Sequence, residues 1–289
     1  MMIGIVGTGS WGSRVVSELK LMKYVQILAY DENPNPDLEI EYVDTFEALM
    51  RRCMAIIVAT PNESHFGYAK QCLESGVPVF IEKPITTTSS DAEKLMKLSM
   101  QGNVLLAVGH IYRYNEIVKD LKKFVDRQDK VYYAKFEWGK DGVFEGRDLM
   151  FDLLPHIIDI MFLLFGEDVK LGSVVEGDAV VSALLTCGGV PCEIHIDWRN
   201  PVKTRRVTIV GDKGSISASV VSQKAMYYPL GYPNDATSCP VGGMANNTIK
   251  DEFEAFINAV KTRTQIHNSG YEGWKTVQLI EEMKRCVSR

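Results

Sequence analysis

Apolar and polar positions follow two different rhythms along this chain, and the change falls near residue 110. Residues 2–6 form a short apolar run that enters a glycine-rich turn. Residues 13–22 carry a helical pattern, and a second apolar run, 25–30, ends on Asp31. Further apolar runs at 55–59, 79–81 and 105–108 are separated by helical stretches at 64–75 and from a capping box at Ser90-Asp91-Ala92-Glu93 to about residue 101. Strands alternating with helices of about ten to fifteen residues predict a parallel, doubly wound sheet with right-handed crossovers. Beyond residue 110 strands follow one another directly, at 131–138, 179–186, 193–198, 206–210 and 215–220, with Gly211-Asp212-Lys213-Gly214 as a hairpin turn. Helices are predicted near 115–126, 152–165, 249–262 and 271–287. The fold class is therefore α/β. A Rossmann-type doubly wound domain, residues 1–112, precedes an α+β domain, residues 113–289, with a largely antiparallel open sheet.

The first turn carries chemistry. In Gly7-Thr8-Gly9-Ser10-Trp11-Gly12, Gly7 permits the tight turn, Gly9 lets the backbone approach a pyrophosphate, and Gly12 lets the helix pack closely on the strand. The pyrophosphate sits where free backbone N–H groups and the positive end of the helix dipole converge. Asp31, at the end of the second strand, is placed to accept hydrogen bonds from the adenosine ribose hydroxyls and to repel a 2′-phosphate. No arginine follows it, since the next residues are Glu32, Asn33 and Pro34. The expected cofactor is NAD rather than NADP, bound by these six turn residues and Asp31.

Open doubly wound sheets bind ligands beyond the carboxyl ends of their strands. Thr60, Pro61, Asn62 and His65 follow one strand, Glu82 and Lys83 the next, and His110, Arg113, Tyr114 and Asn115 the last. Lys83 has two readings: a proton-exchanging group beside a cationic nicotinamide, or a solvated loop lysine paired with Glu82. In residues 151–165 only Asp152, Pro155, His156 and Asp159 are not apolar. The three ionisable groups fall on one helical stripe, and burying them costs several kcal/mol unless they are paired. That makes the stripe a site candidate. Asp152 is also a candidate N-cap ahead of Pro155, Asp159 is expected to brace the helix against a neighbour, and His156 is expected to be functional.

Composition narrows the picture. The 289 residues suit two domains, and with 46% apolar and 24% charged residues they can bury substantial cores. A net charge of −5 gives no electrostatic reason to expect nucleic acid or anionic membrane as a partner. The first strand starts at residue 2 or 3, no apolar run reaches membrane-spanning length, and a cytoplasmic location is expected. The cysteines Cys53, Cys72, Cys187, Cys192, Cys239 and Cys286 show no metal-ligand spacing. Cys187 and Cys192 flank a predicted hairpin loop and are expected to be free thiols in a reducing compartment. Residues 229–247, with three prolines and three glycines in 229–243, show no helix or strand period. The segment is expected to cover a substrate pocket or pack on another subunit through Tyr228 and Tyr232.

Gly7-x-Gly9-x-x-Gly12, Thr60-Pro61-x-x-x-His65, Glu82-Lys83-Pro84 and Asp152-x-x-x-His156-x-x-Asp159, with the late Gly211–Gly214 turn, resemble the Gfo/Idh/MocA oxidoreductases in order and spacing. The resemblance implies catalytic roles for Lys83, Asp152 and His156. It also implies hydride transfer to or from a secondary alcohol of a sugar or inositol, and a homodimer or homotetramer joined through the open sheet. The chain departs from the family at Arg147-Asp148, where many members have paired glycines, and at Leu154, where a small residue is common. Leu154-Pro155-His156 and His110-x-x-Arg113-Tyr114-Asn115 look more like the branch acting on nucleotide-linked sugars. On this reading Lys83, His110, Arg113, Tyr114, Arg147, Asp152 and His156 contact substrate. The alternative is a non-catalytic NAD-binding or redox-sensing protein on the same fold.

Overall fold

The computed structural model describes residues 1–142, 148–230, 239–241 (backbone) and 245–287. Two compact units result, residues 1–110 with 248–278, and residues 111–247 with 279–289. The first is a six-stranded, all-parallel sheet in the order β3-β2-β1-β4-β5-β6, from β1 (Met2–Val6), β2 (Gln26–Tyr30), β3 (Glu41–Tyr42), β4 (Ala55–Val58), β5 (Val79–Ile81) and β6 (Leu106–Val108). β1 and β4 are apolar nearly throughout because both faces of a parallel sheet are covered by helices. The helices are α1 (Ser10–Lys20), α2 (Phe46–Arg52), α3 (His65–Glu74) and α4 (Ser89–Gly102), with α7 (Thr248–Thr262) and the start of α8 (Gly270–Val287) from the C-terminal part of the chain.

Two details differ from the sequence reading. The N-cap of α4 lies two residues before the predicted Ser90, since Thr88 is the cap and its Oγ1 accepts from Asp91 N at 3.2 Å. The division of the chain also differs. Residues 248–278 join the first unit because α7 buries Phe253 and Phe256 against Phe80 of β5, with ring centroids 5.0 and 5.4 Å away.

The second unit holds an eight-stranded sheet in the order β14-β13-β12-β11-β7-β10-β9-β8. Its strands are β7 (Val131–Asp141), β8 (Val169–Gly177), β9 (Val180–Cys187), β10 (Val190–Asp197), β11 (Arg199–Gly211), β12 (Gly214–Ser219), β13 (Lys224–Pro229) and β14 (Cys239–Val241). Every pairing is antiparallel except β10 with β7. One face alternates into a core with α5 (Glu116–Asp126), α6 (Leu149–Phe165) and the end of α8, through residues such as Phe136, Ile194, Val207, Leu121, Ile157 and Ile280. β8 and β13 were not foreseen. β14 corrects the reading of 229–247 as structureless, because its backbone pairs with Ala225, Met226 and Tyr227. Tyr232 and the rest of 231–238 and 242–244 lie outside the described residues.

Helix α6 starts at Leu149. Asp148 is its N-cap and accepts from Met150 N at 2.9 Å and Phe151 N at 3.1 Å, so Asp152 is not the cap and Pro155 lies inside the helix. Cys187 and Cys192 are free and buried, and burial pushes both thiols up to about 12. Among the described residues, no helix is long and apolar enough to cross a membrane, and no cluster of His, Cys, Asp or Glu could hold a metal.

Candidate functional site

The turn between β1 and α1 is shaped by close approach. Gly7 has φ +88°, and a Cβ at Gly12 would lie 2.0 Å from the Gly7 carbonyl oxygen, so neither position tolerates a side chain. A Cβ at Gly9 would meet nothing within 4 Å, which leaves the space in front of the first turn of α1 open. Gly9 is the N-cap and provides no side-chain cap, so the first N–H groups of α1 are available to an anion. Asp31 is fixed across this turn: its Oδ2 accepts from Thr8 N at 2.5 Å and Thr8 Oγ1 at 3.0 Å, and its Oδ1 accepts from Asn33 N at 2.8 Å. Oδ1 keeps acceptor capacity for a ribose hydroxyl. The residues present therefore fit a dinucleotide.

The ends of β4 and β5 are braced by His65. Its Nδ1 lies 2.8 Å from the Pro84 carbonyl and its Nε2 3.0 Å from the Thr60 carbonyl. The ring is fully buried, and burial holds its pKa below the usual value. With carbonyls at both ring nitrogens it ties the Thr60 loop to the Lys83-Pro84 turn, where the peptide bond is cis.

Glu82, the first residue of that turn, is buried against Gly109, where a Cβ would come within 2.6 Å of Glu82 Oε2. The Trp11 indole N–H faces the carboxyl without closing a hydrogen bond of ordinary geometry. Desolvation raises the Glu82 pKa to about 7, while Trp11 and Lys83 pull it down. A carboxyl raised in the folded state contributes stability that is full below its unfolded pKa of about 4.5 and is lost as pH rises through about 7. Glu82→Gln should therefore gain stability relative to the wild type between pH 5 and pH 8, read as the difference in thermal midpoint at each pH. A difference that stays constant over that range contradicts the assignment. Lys83 is half-buried and His110 buried, the latter at the end of β6.

In the second unit α6 presents the polar stripe, and each member has its own environment. Asp152 Oδ2 accepts from Lys140 Nζ at 2.6 Å and from Trp198 Nε1 at 3.2 Å. His156 is buried, with its ring edge-on to Tyr112 at 5.0 Å and 85°. Trp138 meets the same Tyr112 ring at 5.9 Å and 88°, and the Arg205 guanidinium stands over that ring at 5.4 Å. Asp159, 2% exposed, is clamped by Arg113, whose Nε donates to Oδ1 at 2.8 Å and Oδ2 at 3.0 Å and whose second terminal nitrogen lies 2.8 Å from Oδ1.

Asp159 is thus the brace expected of it. Arg113, expected to contact substrate, has its guanidinium turned to Asp159 instead. Tyr114 lends its carbonyl to Asn246 Nδ2 at 2.7 Å, and Arg147 lies outside the described residues. Lys140, Trp198, Tyr112 and Arg205 were missed. A legible signal existed for Arg205, which occupies a core position in the alternation Arg205, Val207, Ile209.

Residues 1–110 match the model of an oxidoreductase family with an NAD-binding Rossmann fold, Gfo/Idh/MocA. Among curated proteins the chain is 26% identical over 182 residues to UDP-N-acetylglucosamine 3-dehydrogenase from Acidithiobacillus ferrooxidans, covering 58% of this chain and 55% of that one. It is 28% identical over 188 residues to an NADP-dependent scyllo-inositol 2-dehydrogenase from Bacillus subtilis, covering 57% and 51%. The matched region spans about half the length of these relatives. The solved structure of the Acidithiobacillus ferrooxidans enzyme superposes with a TM-score of 0.86 at 21% identity, over 99% of this chain and 97% of that one, which establishes the shared fold.

Proposed function

We propose that this chain, whose residues 1–110 match the Gfo/Idh/MocA oxidoreductase model with its NAD-binding Rossmann fold, is a member of that family and a dehydrogenase acting on a secondary alcohol or ketone of a sugar, inositol or nucleotide-linked sugar. The observation that carries the reading is the turn at Gly7–Gly12, whose three glycines let backbone approach closely and leave the start of α1 open, with Asp31 fixed across it, in a chain that also carries Glu82-Lys83-Pro84 and the Asp152/His156 helix. Nicotinamide, when bound, supplies the acceptor or donor of hydride. Thr8, Gly9 and Ser10 hold the pyrophosphate, and Asp31 holds the ribose. Thr60, Pro61, Asn62, Glu82 and Lys83 line the nicotinamide end.

His156 takes the hydroxyl proton in oxidation and returns it in reduction. Lys83 polarises the substrate oxygen. Asp152, held by Lys140 and Trp198, fixes the first turns of α6 on which His156 depends. His110, Tyr114 and Arg147 remain candidates for substrate contact. Arg113 is a positioning residue through Asp159.

The test is absorbance at the reduced-nicotinamide band with inositols, hexoses and nucleotide-linked sugars, run with NAD and with NADP. NAD is expected to support the faster reaction and, by fluorescence titration, to bind more tightly, because Asp31 faces the 2′-phosphate. Asp31→Ala should narrow that gap. Equal affinities, or a preference for NADP, sink the cofactor assignment, and no turnover with either cofactor on any of these classes sinks the substrate assignment.

A further inference from the structure

Arg205 stands on β11 with its side chain on the core face, in register with Trp138 of β7 and in line with the buried Val207 and Ile209. The fold thus sets a guanidinium where the strand's alternation calls for an apolar group. Burial pulls its pKa down to about 10, and no carboxylate opposes that shift. It is still charged at neutral pH. Its recorded side-chain contact is the face of Tyr112. Among the described residues no ion pair or hydrogen bond reaches its guanidinium, whereas the guanidinium of Arg113, adjacent in sequence to Tyr112, is paired with Asp159. Arg205 is half-buried; a cation partly withdrawn from water is ordinarily matched by an anion, and a guanidinium presents a planar fork of donors suited to two oxygens of one group. The Tyr112 ring that lies under Arg205 also packs against His156, 5.0 Å away and nearly perpendicular to it, so the guanidinium and the imidazole share one aromatic neighbour.

We propose that Arg205 is a substrate-specificity residue that takes the anionic group, a carboxylate or a phosphate, of a sugar substrate. The proposal rests on reading His156 as the group that exchanges the substrate proton. It narrows the substrate class to sugars carrying an anionic substituent and sets neutral inositols and hexoses aside. Arg205 would touch substrate without taking part in proton or hydride movement, so it governs KM rather than kcat.

The experiment begins on the whole chain without turnover. Thermal midpoints are measured at matched ionic strength, to remove general screening, with inorganic phosphate, glucuronate or glucose, for wild type, Arg205→Met and Arg205→Lys. In the wild type phosphate, glucuronate or both should raise the midpoint by a few degrees, as ligand linkage requires, and glucose should not; which anion acts separates a phosphate site from a carboxylate site. Arg205→Met should lose the shift and, having shed an unmatched, half-buried charge, should melt no lower than the wild type in the absence of anion. Arg205→Lys should keep part of it.

An anion shift that persists in Arg205→Met, or no shift with either anion in the wild type, overturns the proposal. So does a ligand-free Arg205→Met protein that melts well below the wild type, which marks Arg205 as a structural residue. With an anionic sugar that reduces NAD, Arg205→Met should raise KM by roughly 10-fold or more and leave kcat nearly unchanged; an unchanged KM also overturns it. If no sugar reduces NAD, the reading of the protein as a dehydrogenase fails while the anion measurements still decide on Arg205.

Discussion

Turnover in the Lys83→Ala and His156→Ala proteins is expected to fall by roughly 10²-fold or more, the usual scale for removing a general acid–base group, with NAD affinity retained. His156 lies on a helix of the second unit, away from the glycine turn in the chain, so its loss leaves the cradle at Gly7–Gly12 and the Asp31 contacts untouched. It packs against Tyr112 by its ring edge, and alanine removes that contact as well as the base. His156→Gln, which keeps a polar side chain of similar reach, separates the two: it should recover stability lost by His156→Ala and recover little of the rate. Steady-state kinetics with fluorescence titration of NAD checks each variant. Wild-type turnover in either alanine variant removes that residue from the mechanism.

The largest effect on stability is expected at Arg113 and Asp159. Both side chains are buried, 12% and 2% exposed, and the guanidinium grips the carboxylate through two nitrogens. Removing one partner breaks an ion pair withdrawn from water, which costs about 3–5 kcal/mol. Asp159→Ala and Arg113→Ala should each lower the denaturation midpoint accordingly, whereas the double change Arg113→Met with Asp159→Leu should recover most of the loss. Turnover per folded molecule should change far less in Asp159→Asn than in His156→Ala. If Arg113→Ala leaves stability intact but raises KM, Arg113 is the substrate contact that its sequence position suggested and the bracing role fails.

The parts of the structure that were legible in the sequence are those whose cause is local. The apolar run of β1, the glycines whose missing side chains make the turn, and the acid that closes β2 lie within thirty residues and are read directly from spacing. Strand β8 was not legible, because its alternation of Val169, Lys170 and Leu171 is broken at Gly172-Ser173, where the register shifts, before Val174 turns inward again. The phenylalanines of α7 announce a buried face but not the sheet it covers, so the return of 248–278 to the first unit was invisible.

At the candidate site the stripe on α6 is visible in the sequence, and the partners of its residues are not. Which arginine meets Asp159, and which lysine and tryptophan hold Asp152, are decided by strands distant in sequence. The start of α6 was misplaced because Asp148 and Asp152 are both plausible caps, and only the two bonds to Met150 and Phe151 decide between them.

The central claim, that this chain moves hydride between a sugar carbinol carbon and nicotinamide, is tested most directly by isotope. A responding sugar is prepared with deuterium on the carbon to be oxidised, and a single turnover with NAD is followed by mass analysis of the cofactor. One deuterium per reduced nicotinamide, with none released to solvent, is the predicted result. Product formed without labelled reduced cofactor, or label lost to water, would contradict direct hydride transfer.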